Sequence, residues 1–171
     1  MIQKKICMLG SFSVGKTSLV SRFVSSVFSD KYLTTVGVKI DKKALAVDGG
    51  DVTLMLWDIY GEDDFQKLRM SYLRGASGYL LVVDGTRRAT LDVALGIHRT
   101  VTEGIGPLPF VLCLNKADLR DRWEIDLPRV AERARTDGWT AIETSAKLGT
   151  GVEEAFRTLT SRMLAETGAD L

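Results

Sequence analysis

The stretch Gly10-Ser11-Phe12-Ser13-Val14-Gly15-Lys16-Thr17 decides the fold of this chain. It fits the pattern G-x-x-x-x-G-K-[ST] and follows directly on an apolar run at residues 6–9. Glycines allow the backbone to turn N–H groups toward phosphate oxygens, and a following helix adds the positive end of its dipole. We expect Lys16 to meet the β- and γ-phosphates and the Thr17 hydroxyl to bind Mg²⁺. A glycine turn that caps an ordinary helix is the alternative, and the strand–loop–helix setting favours the phosphate site.

Strand and helix patterns alternate along the chain on both sides of this loop. The apolar runs predict strands at residues 2–9, 38–47, 52–57, 79–83, 110–114 and 140–142. Helical spacing predicts helices near residues 15–25, 65–75, 90–104, 126–138 and from 150 onward, with Thr90 and Asp126 as N-caps. Residues 48–51 are expected to close a hairpin. This order predicts an α/β fold: a six-stranded, mostly parallel sheet with one antiparallel edge strand and about five helices on both faces.

Composition limits the classes of function. The 171 residues (1–171) are expected to form one domain, since no composition shift marks a linker. A net charge of +1 predicts no affinity for nucleic acid or anionic membrane. The two cysteines, Cys7 and Cys113, lack metal-ligand spacing and indicate buried thiols in a reducing, cytoplasmic setting. No run reaches membrane-spanning length, and Ile2 and the cysteine-free end at residues 168–171 predict no lipid anchor in this chain.

Two segments could complete a magnesium site. Asp58 ends an apolar strand, where a carboxylate can hold Mg²⁺ through water, and the backbone N–H of Gly61 can reach the terminal phosphate. A hydroxyl of Thr34 or Thr35 could complete the shell with Thr17. Taken alone, a loop threonine is usually only solvated, and Asp58 equally fits a simple turn after a strand.

Two later segments offer groups for a base. Asn115-Lys116-Ala117-Asp118 follows a buried strand, and a fixed carboxylate there can accept the ring N–H and exocyclic amine of guanine, which adenine cannot match. Ser145-Ala146-Lys147 can offer backbone N–H groups to a base carbonyl. Each is equally an ordinary polar loop when considered alone.

Together these five segments, in this order and each after a strand, resemble the small GTPases of the Ras superfamily over nearly the whole chain. The resemblance implies a P-loop NTPase G domain with GTP or GDP and Mg²⁺ as ligands. Residues 32–38, 57–62 and 71–76 look most like the two switches of Rab proteins. It further implies that Phe28 packs edge-on to the base, that the Lys116 stem lies along it and that Asp118 reads guanine. The implied nucleotide-binding residues are Ser13, Val14, Gly15, Lys16, Thr17, Ser18, Phe28, Tyr32, Thr35, Gly61, Asn115, Lys116, Asp118, Ser145, Ala146 and Lys147, with Thr17, Thr35 and Asp58 at the metal.

The resemblance also implies a surface for partners. Ile40, Trp57 and Tyr72 correspond to an apolar patch that such proteins present when GTP is bound, although Ile40 replaces the usual aromatic residue. Effector, exchange and GTPase-activating proteins would bind through residues 30–40 and 58–75. A simpler interpretation of the patch is hairpin core.

Three positions depart from the family pattern. Glu62 stands where a glutamine usually orients the attacking water, so Glu62, with Lys16 and Gly61, forms an unusual catalytic set. Phe12 replaces a small residue beside the path of an activating protein's arginine, and we expect its ring to obstruct that arginine. Tyr60 is bulky at a normally small position near the metal.

The leading hypothesis is therefore a guanine-nucleotide switch that hydrolyses GTP slowly. A pseudo-GTPase scaffold that holds nucleotide with negligible turnover is the first alternative, motivated by Glu62, Phe12 and Tyr60. A P-loop kinase or ATPase is the second, and Asp118 in its Asn-Lys-x-Asp setting disfavours it. His98, the only histidine, is expected to serve core or partner packing.

Overall fold

Six strands and four α-helices occupy the described part of the chain. The computed structural model describes residues 2–26, 38–48, 50–59 and 70–169. The strands are β1 (Ile2–Gly10), β2 (Val38–Val47), β3 (Gly50–Ile59), β4 (Gly78–Asp84), β5 (Phe110–Asn115) and β6 (Thr140–Thr144). The helices are α1 (Lys16–Ser25), α2 (Ala89–Gly104), α3 (Leu127–Asp137) and α4 (Val152–Ala169), with short 3-10 helices at Met70–Leu73 and Ala117–Arg122.

The strands form one sheet in the order β2-β3-β1-β4-β5-β6. Every neighbouring pair is parallel except β2 and β3, which pair antiparallel as a hairpin, with β2 at the edge. The predicted α/β fold class is therefore confirmed, including its antiparallel edge strand. The strands of the hairpin extend further than predicted, because Val47 pairs with Gly50.

Two apolar layers hold helices on opposite faces of the sheet, because side chains alternate along each strand. Ile6 and Met8 of β1 face the layer covered by α1 and α4, where the rings of Phe23 and Phe156 stack with centroids 4.0 Å apart. The intervening Cys7 faces the layer covered by α2 and α3. All seven residues of β4 are buried, as expected for a strand covered on both faces.

The predicted N-cap is present in α3 and absent in α2. Asp126 accepts a hydrogen bond from the Arg129 backbone N–H at 3.3 Å, and α3 ends at Gly138 with φ 73°, as predicted. Thr90 does not cap α2, which begins at Ala89. Its buried hydroxyl instead donates to the Arg87 carbonyl at 2.7 Å and accepts from the Asp84 backbone N–H at 3.0 Å. The prediction of Thr90 as a cap was wrong because its hydroxyl bonds to backbone groups of the turn before the helix instead of to the N–H groups of the first helical turn.

Most of the helix predicted near residues 65–75 lies outside the described residues, and its described part, Met70–Leu73, is a 3-10 helix. Cys7 and Cys113 are free thiols with fully buried side chains, as predicted. Burial raises the pKa of both thiols to about 12, and nearby Lys5 offsets part of the effect at Cys7. Within the described ranges, no helix is both long enough and apolar enough to cross a membrane.

Candidate functional site

The carboxyl ends of the parallel strands bring predicted and unpredicted polar residues together at one edge of the sheet. Gly10, Asp58, Asp84, Asn115 and Thr144 stand at or next to the carboxyl ends of the five mutually parallel strands. The sheet continues to β3 on one side of β1 and to β4 on the other, so the chain order reverses at β1. In open α/β sheets, ligands bind in the crevice beyond such a reversal.

The loop at residues 10–17, here called the phosphate loop, lies in this crevice between β1 and α1. Gly15 adopts φ 105°, and a Cβ there would lie 2.3 Å from Nδ2 of Asn115. Ser13 is also left-handed at φ 63°, while Val14 is fully buried. Lys16 is 6% exposed, and its Nζ donates to the carbonyls of Gly10 at 3.2 Å and Ser11 at 3.0 Å. A buried ammonium group is thus held within a loop whose backbone conformation requires glycine.

The donors for a hard cation lie side by side. Oγ1 of Thr17, in the first turn of α1, donates to Oδ2 of Asp58 at 2.5 Å. Asp58 is 1% exposed and comes from β3, 41 residues further along the chain. A hydroxyl and a carboxylate at this spacing form an all-oxygen donor set of the kind Mg²⁺ prefers, and Mg²⁺ takes its other ligands from water and substrate phosphates. These two residues fit a magnesium ion.

Residues 115–118, here called the base segment, contact the phosphate loop directly. Nδ2 of Asn115, 2% exposed, donates to the Val14 carbonyl at 2.9 Å, and Oδ1 of Asn115 accepts from the Thr144 hydroxyl at 3.0 Å. Nζ of Lys116 donates to the Ser13 carbonyl at 3.5 Å. Two hydrogen bonds therefore join the base segment to the phosphate loop.

Residues 145–148, here called the closing loop, complete the edge. The Ser145 hydroxyl donates to Oδ1 of Asp118 at 2.8 Å and accepts from the Leu148 backbone N–H at 3.0 Å, which fixes the carboxylate against this loop. Ala146 is 4% exposed, whereas Lys147 is exposed. Among described groups, the backbone N–H groups of Ala146 and Lys147 meet no hydrogen-bond acceptor, so both remain available to a ligand.

A buried carboxylate missing from the sequence prediction lies behind the base segment. Asp84, 1% exposed, accepts from Nζ of Lys116 at 2.8 Å, from Nε of Arg87 at 3.1 Å and from the Thr86 backbone N–H at 2.9 Å. Burial acts to raise the pKa of Asp84, but the contacts with Lys116 and Thr86 outweigh it and hold that pKa below its ordinary value. Asp84 thus fixes the Lys116 ammonium. Its signal was an acidic residue directly after an apolar strand, the same signal that marked Asp58.

Two arginines contact the predicted loops from outside. Nη2 of Arg87 donates to the Phe12 carbonyl at 2.6 Å. Nε of Arg22 donates to the Ala146 carbonyl at 2.7 Å, and its Nη2 donates to the Lys147 carbonyl. The Arg22 contacts span more than 120 residues of chain, and no local pattern could have indicated them.

Several predicted positions lie outside the described residues. They are Phe28, Tyr32, Thr34, Thr35, Tyr60, Gly61 and Glu62. Of the predicted partner patch, Ile40 is 46% exposed and stands directly opposite Trp57 in the hairpin register. Trp57 and Tyr72 are half-buried against the α2–α3 layer, and Nζ of Lys5 lies 3.6 Å from the centroid of the Trp57 ring. The described patch is therefore part core and part surface.

His98 lies on α2, away from the phosphate loop, and packs in an aromatic cluster. Its Nδ1 lies 2.7 Å from the Tyr79 hydroxyl, and its ring centroid lies 4.6 Å from that of Phe110 and 5.0 Å from that of Trp139. Burial, reinforced by the nearby Arg133 guanidinium, lowers the pKa of His98. The predicted packing role is confirmed.

The sheet order, the phosphate loop and the base segment define a P-loop nucleotide-binding protein. The model of the Ras family matches residues 5–165. Ras-related protein Rab-8B of Pongo abelii is 33% identical over 156 residues, covering 91% of this chain and 75% of the relative. Ras-related protein Rab-13 of Canis lupus familiaris is 30% identical over 165 residues, covering 96% of this chain and 81% of the relative. Ras-related protein Rab-4 of Dictyostelium discoideum is 32% identical over 163 residues, covering 95% of this chain and 80% of the relative. The chain belongs to the Ras family and is a Rab-like small GTPase of the Ras superfamily.

Proposed function

We propose that this protein is a guanine-nucleotide switch that binds GTP or GDP with Mg²⁺, hydrolyses GTP slowly and changes its partner surface with the nucleotide. The observation that carries the proposal is the direct contact between the phosphate loop and the base segment. Nδ2 of Asn115 donates to the Val14 carbonyl at 2.9 Å. A ligand held by both segments must carry a phosphate chain at one end and a base at the other. Family membership supports the same conclusion.

At the phosphate end, Lys16 supplies the charge and Thr17 and Asp58 hold the metal. The Nζ donations from Lys16 to the Gly10 and Ser11 carbonyls keep the ammonium inside the loop and ready to meet phosphate oxygens. Mg²⁺, when bound, neutralises phosphate charge. We assign Thr17 as a direct ligand and Asp58 as a ligand through water, with Thr35 added in the GTP form.

At the base end, Asp118 is proposed to accept the guanine ring N–H and exocyclic amine. The Ser145 hydroxyl occupies Oδ1 of Asp118 at 2.8 Å, so the carboxylate has a fixed orientation. The unused N–H groups of Ala146 and Lys147 would donate to oxygen 6 of the base. Phe28 and the stem of Lys116 would pack against its faces. Adenine offers the opposite donor and acceptor pattern, which argues against an ATPase or a P-loop kinase.

Hydrolysis in this proposal depends on position and charge. Lys16 and the N–H of Gly61 would stabilise the charge that develops on the γ-phosphate, and Glu62 would contact the attacking water. A carboxylate there can accept a proton from water but also adds negative charge beside the phosphate, so we expect a slow unaided rate. Phe12 would hinder an inserted arginine from an activating protein.

Partners are proposed to bind residues 30–40 and 58–75, including Ile40, Trp57 and Tyr72. The exposed Ile40 beside Trp57 supports this surface. Loss of the γ-phosphate would release Thr35 and Gly61 and so alter the surface. We propose the cytoplasm as the compartment, because both cysteines are free thiols.

A pseudo-GTPase scaffold is the second candidate, favoured by Glu62 in place of the water-orienting glutamine. Single-turnover hydrolysis separates the two. Excess protein is mixed with GTP and Mg²⁺, phosphate release is followed, and the measurement is repeated with Glu62→Gln. Release by the original protein at a rate that changes with the substitution establishes a GTPase. GTP that persists until Glu62→Gln restores turnover establishes the scaffold.

Nucleotide binding itself is tested with Lys16→Ala and a fluorescent GDP derivative. We expect loss of tight binding, because the buried Lys16 ammonium is held inside the phosphate loop by the Gly10 and Ser11 carbonyls. Arg157→Met, which removes a cation on α4 that donates to the Ala46 carbonyl at 2.9 Å, is the control and should bind normally. Normal GDP binding by Lys16→Ala would refute the assigned role, and tighter binding of ADP than GDP would revive the ATPase alternative.

A further inference from the structure

Arg22 joins the end of the phosphate-binding helix to the closing loop. It lies in the last turn of α1, the helix that begins at Lys16. Its Nε donates to the Ala146 carbonyl at 2.7 Å, and its Nη2 donates to the Lys147 carbonyl. The stem of the same side chain passes 3.8 Å from the position of a Cβ built on Gly149. One planar guanidinium group therefore holds two successive carbonyls, as its fixed fork of donors allows.

The contact with the Ala146 carbonyl determines which way the closing loop presents the N–H of Lys147. In a trans peptide unit, the C=O and the following N–H point in opposite directions. When Arg22 holds the Ala146 carbonyl on the α1 side, the Lys147 N–H must point away from α1. Other groups already use the neighbouring donors, since the Ser145 N–H bonds to the Thr150 carbonyl at 2.9 Å and the Leu148 N–H bonds to the Ser145 hydroxyl at 3.0 Å. Only the donors of Ala146 and Lys147 remain for a ligand within the described loop.

We propose that Arg22 is a positioning residue for recognition of the guanine carbonyl. By fixing the Ala146 carbonyl, it aims the Lys147 N–H at oxygen 6 of the base, beside the Ala146 N–H, whose own peptide unit is held where the Ser145 carbonyl accepts from the Gly149 N–H at 2.7 Å. Because Arg22 and Lys16 share one helix of 10 residues, the spacing between phosphate and base contacts is set by α1. This inference rests on the proposed guanine-nucleotide function and adds a specificity residue to it.

The same geometry predicts which part of guanine recognition Arg22 affects. Oxygen 6 would meet the closing loop, whereas the exocyclic 2-amine would meet Asp118, whose Oδ1 is held by Ser145 and not by Arg22. Loosening the carbonyls should therefore reduce discrimination at position 6 of the base and leave discrimination at position 2 intact. A purely structural arginine would change both equally or neither.

The test compares GDP with two analogues, 6-thio-GDP and IDP, by equilibrium competition against a fluorescent GDP derivative. Sulfur replaces oxygen 6 in 6-thio-GDP, and IDP lacks the 2-amine. For Arg22→Met we expect the ratio of GDP affinity to 6-thio-GDP affinity to fall by about threefold or more, since one neutral hydrogen bond is weakened. The ratio of GDP affinity to IDP affinity should not change. Arg22→Lys retains a cation that reaches only one carbonyl at a time, and we expect an intermediate ratio.

Arg157→Met is the matched control, because Arg157 also donates from a helix to a backbone carbonyl, that of Ala46, but outside the site. It should leave both ratios unchanged. If Arg22→Met fails to fold, Arg22→Lys decides the test alone. Equal loss of affinity for all three nucleotides, or an unchanged position-6 ratio, would overturn the role of Arg22 while the switch function stands. Failure of the unsubstituted protein to bind GDP would instead refute the proposed function.

Discussion

The side-chain amide of Asn115 donates to the backbone carbonyl of Val14 at 2.9 Å, across 101 residues of chain. The same side chain accepts from the Thr144 hydroxyl at 3.0 Å, so one buried amide joins the phosphate loop to the ends of β5 and β6. Buried amides of this kind are expensive to leave unsatisfied. Asn115 is therefore a structural joint of the site as well as a member of the base segment.

Asn115→Ala should weaken both the fold and the nucleotide site. It leaves the Val14 carbonyl and the Thr144 hydroxyl without their partner, and we expect a loss of about 2 kcal/mol in the free energy of unfolding. GDP dissociation should accelerate about tenfold or more, because the phosphate loop is no longer fixed to the base segment. Urea unfolding and a chase of fluorescent GDP measure the two effects.

Thr160→Val provides the control for Asn115→Ala. It removes a buried hydroxyl that donates to the Phe156 carbonyl at 2.7 Å within α4. Stability should fall, by about 1 kcal/mol, with no change in GDP dissociation. If Asn115→Ala accelerated GDP dissociation no more than Thr160→Val does, the role assigned to Asn115 in joining the two segments would be wrong.

Gly15→Ala should reduce both the stability of the fold and the affinity for GDP, because it adds a steric contact to the backbone strain. At φ 105° an alanine is disfavoured by about 1–3 kcal/mol, and its Cβ would also meet Nδ2 of Asn115 at 2.3 Å. Gly138→Ala isolates the first effect, because Gly138 has φ 73° and nothing within 4 Å of a built Cβ. We expect Gly138→Ala to lower the melting temperature and spare GDP affinity, and Gly15→Ala to reduce both. Equal GDP affinity in the two variants would contradict the close contact at Asn115.

Removal of Mg²⁺ should act through Thr17. A chelator is expected to accelerate GDP release from the unsubstituted protein by about tenfold or more, because phosphate charge is no longer neutralised. In Thr17→Val the chelator should have little further effect, whereas Thr17→Ser retains the hydroxyl and the response. A full chelator response in Thr17→Val would place the metal elsewhere.

Stability should fall as the solution becomes acidic through protonation of His98. The pKa of His98 is lowered in the folded protein, so below about pH 6.5 the unfolded chain binds more protons than the folded one. The free energy of unfolding is therefore highest above that pH and decreases below it. The lowered pKa of Asp84 also makes the free energy of unfolding decrease with falling pH, but only in the more acidic range where carboxylates protonate.

His98→Asn tests this sign by urea unfolding at about pH 7.5 and about pH 5.5. The unsubstituted protein should lose stability between the two values, and the variant should lose less. An identical loss in both proteins would show that other groups cause the acid sensitivity.

The sequence was sufficient to place site residues that come at the end of a strand. Asp58 and Asn115 could be placed at the sheet edge because parallel strands bring their carboxyl ends together. Arg22 could not, since its contacts to residues 146 and 147 exist only after α1 and the closing loop pack. Thr90 failed as a predicted cap for a different reason: its hydroxyl bonds to backbone groups of the preceding turn, at Asp84 and Arg87.

The burial of Cys7 and Cys113 makes the native protein a convenient host for site-specific chemical probes. With both thiols inaccessible and their pKa raised to about 12, maleimide reagents at neutral pH should leave the folded chain unlabelled. A single cysteine introduced at Leu148, which is 65% exposed in the closing loop, would then carry a fluorophore or spin label selectively. Labelling of the native pair, by contrast, would report the moment at which the sheet opens.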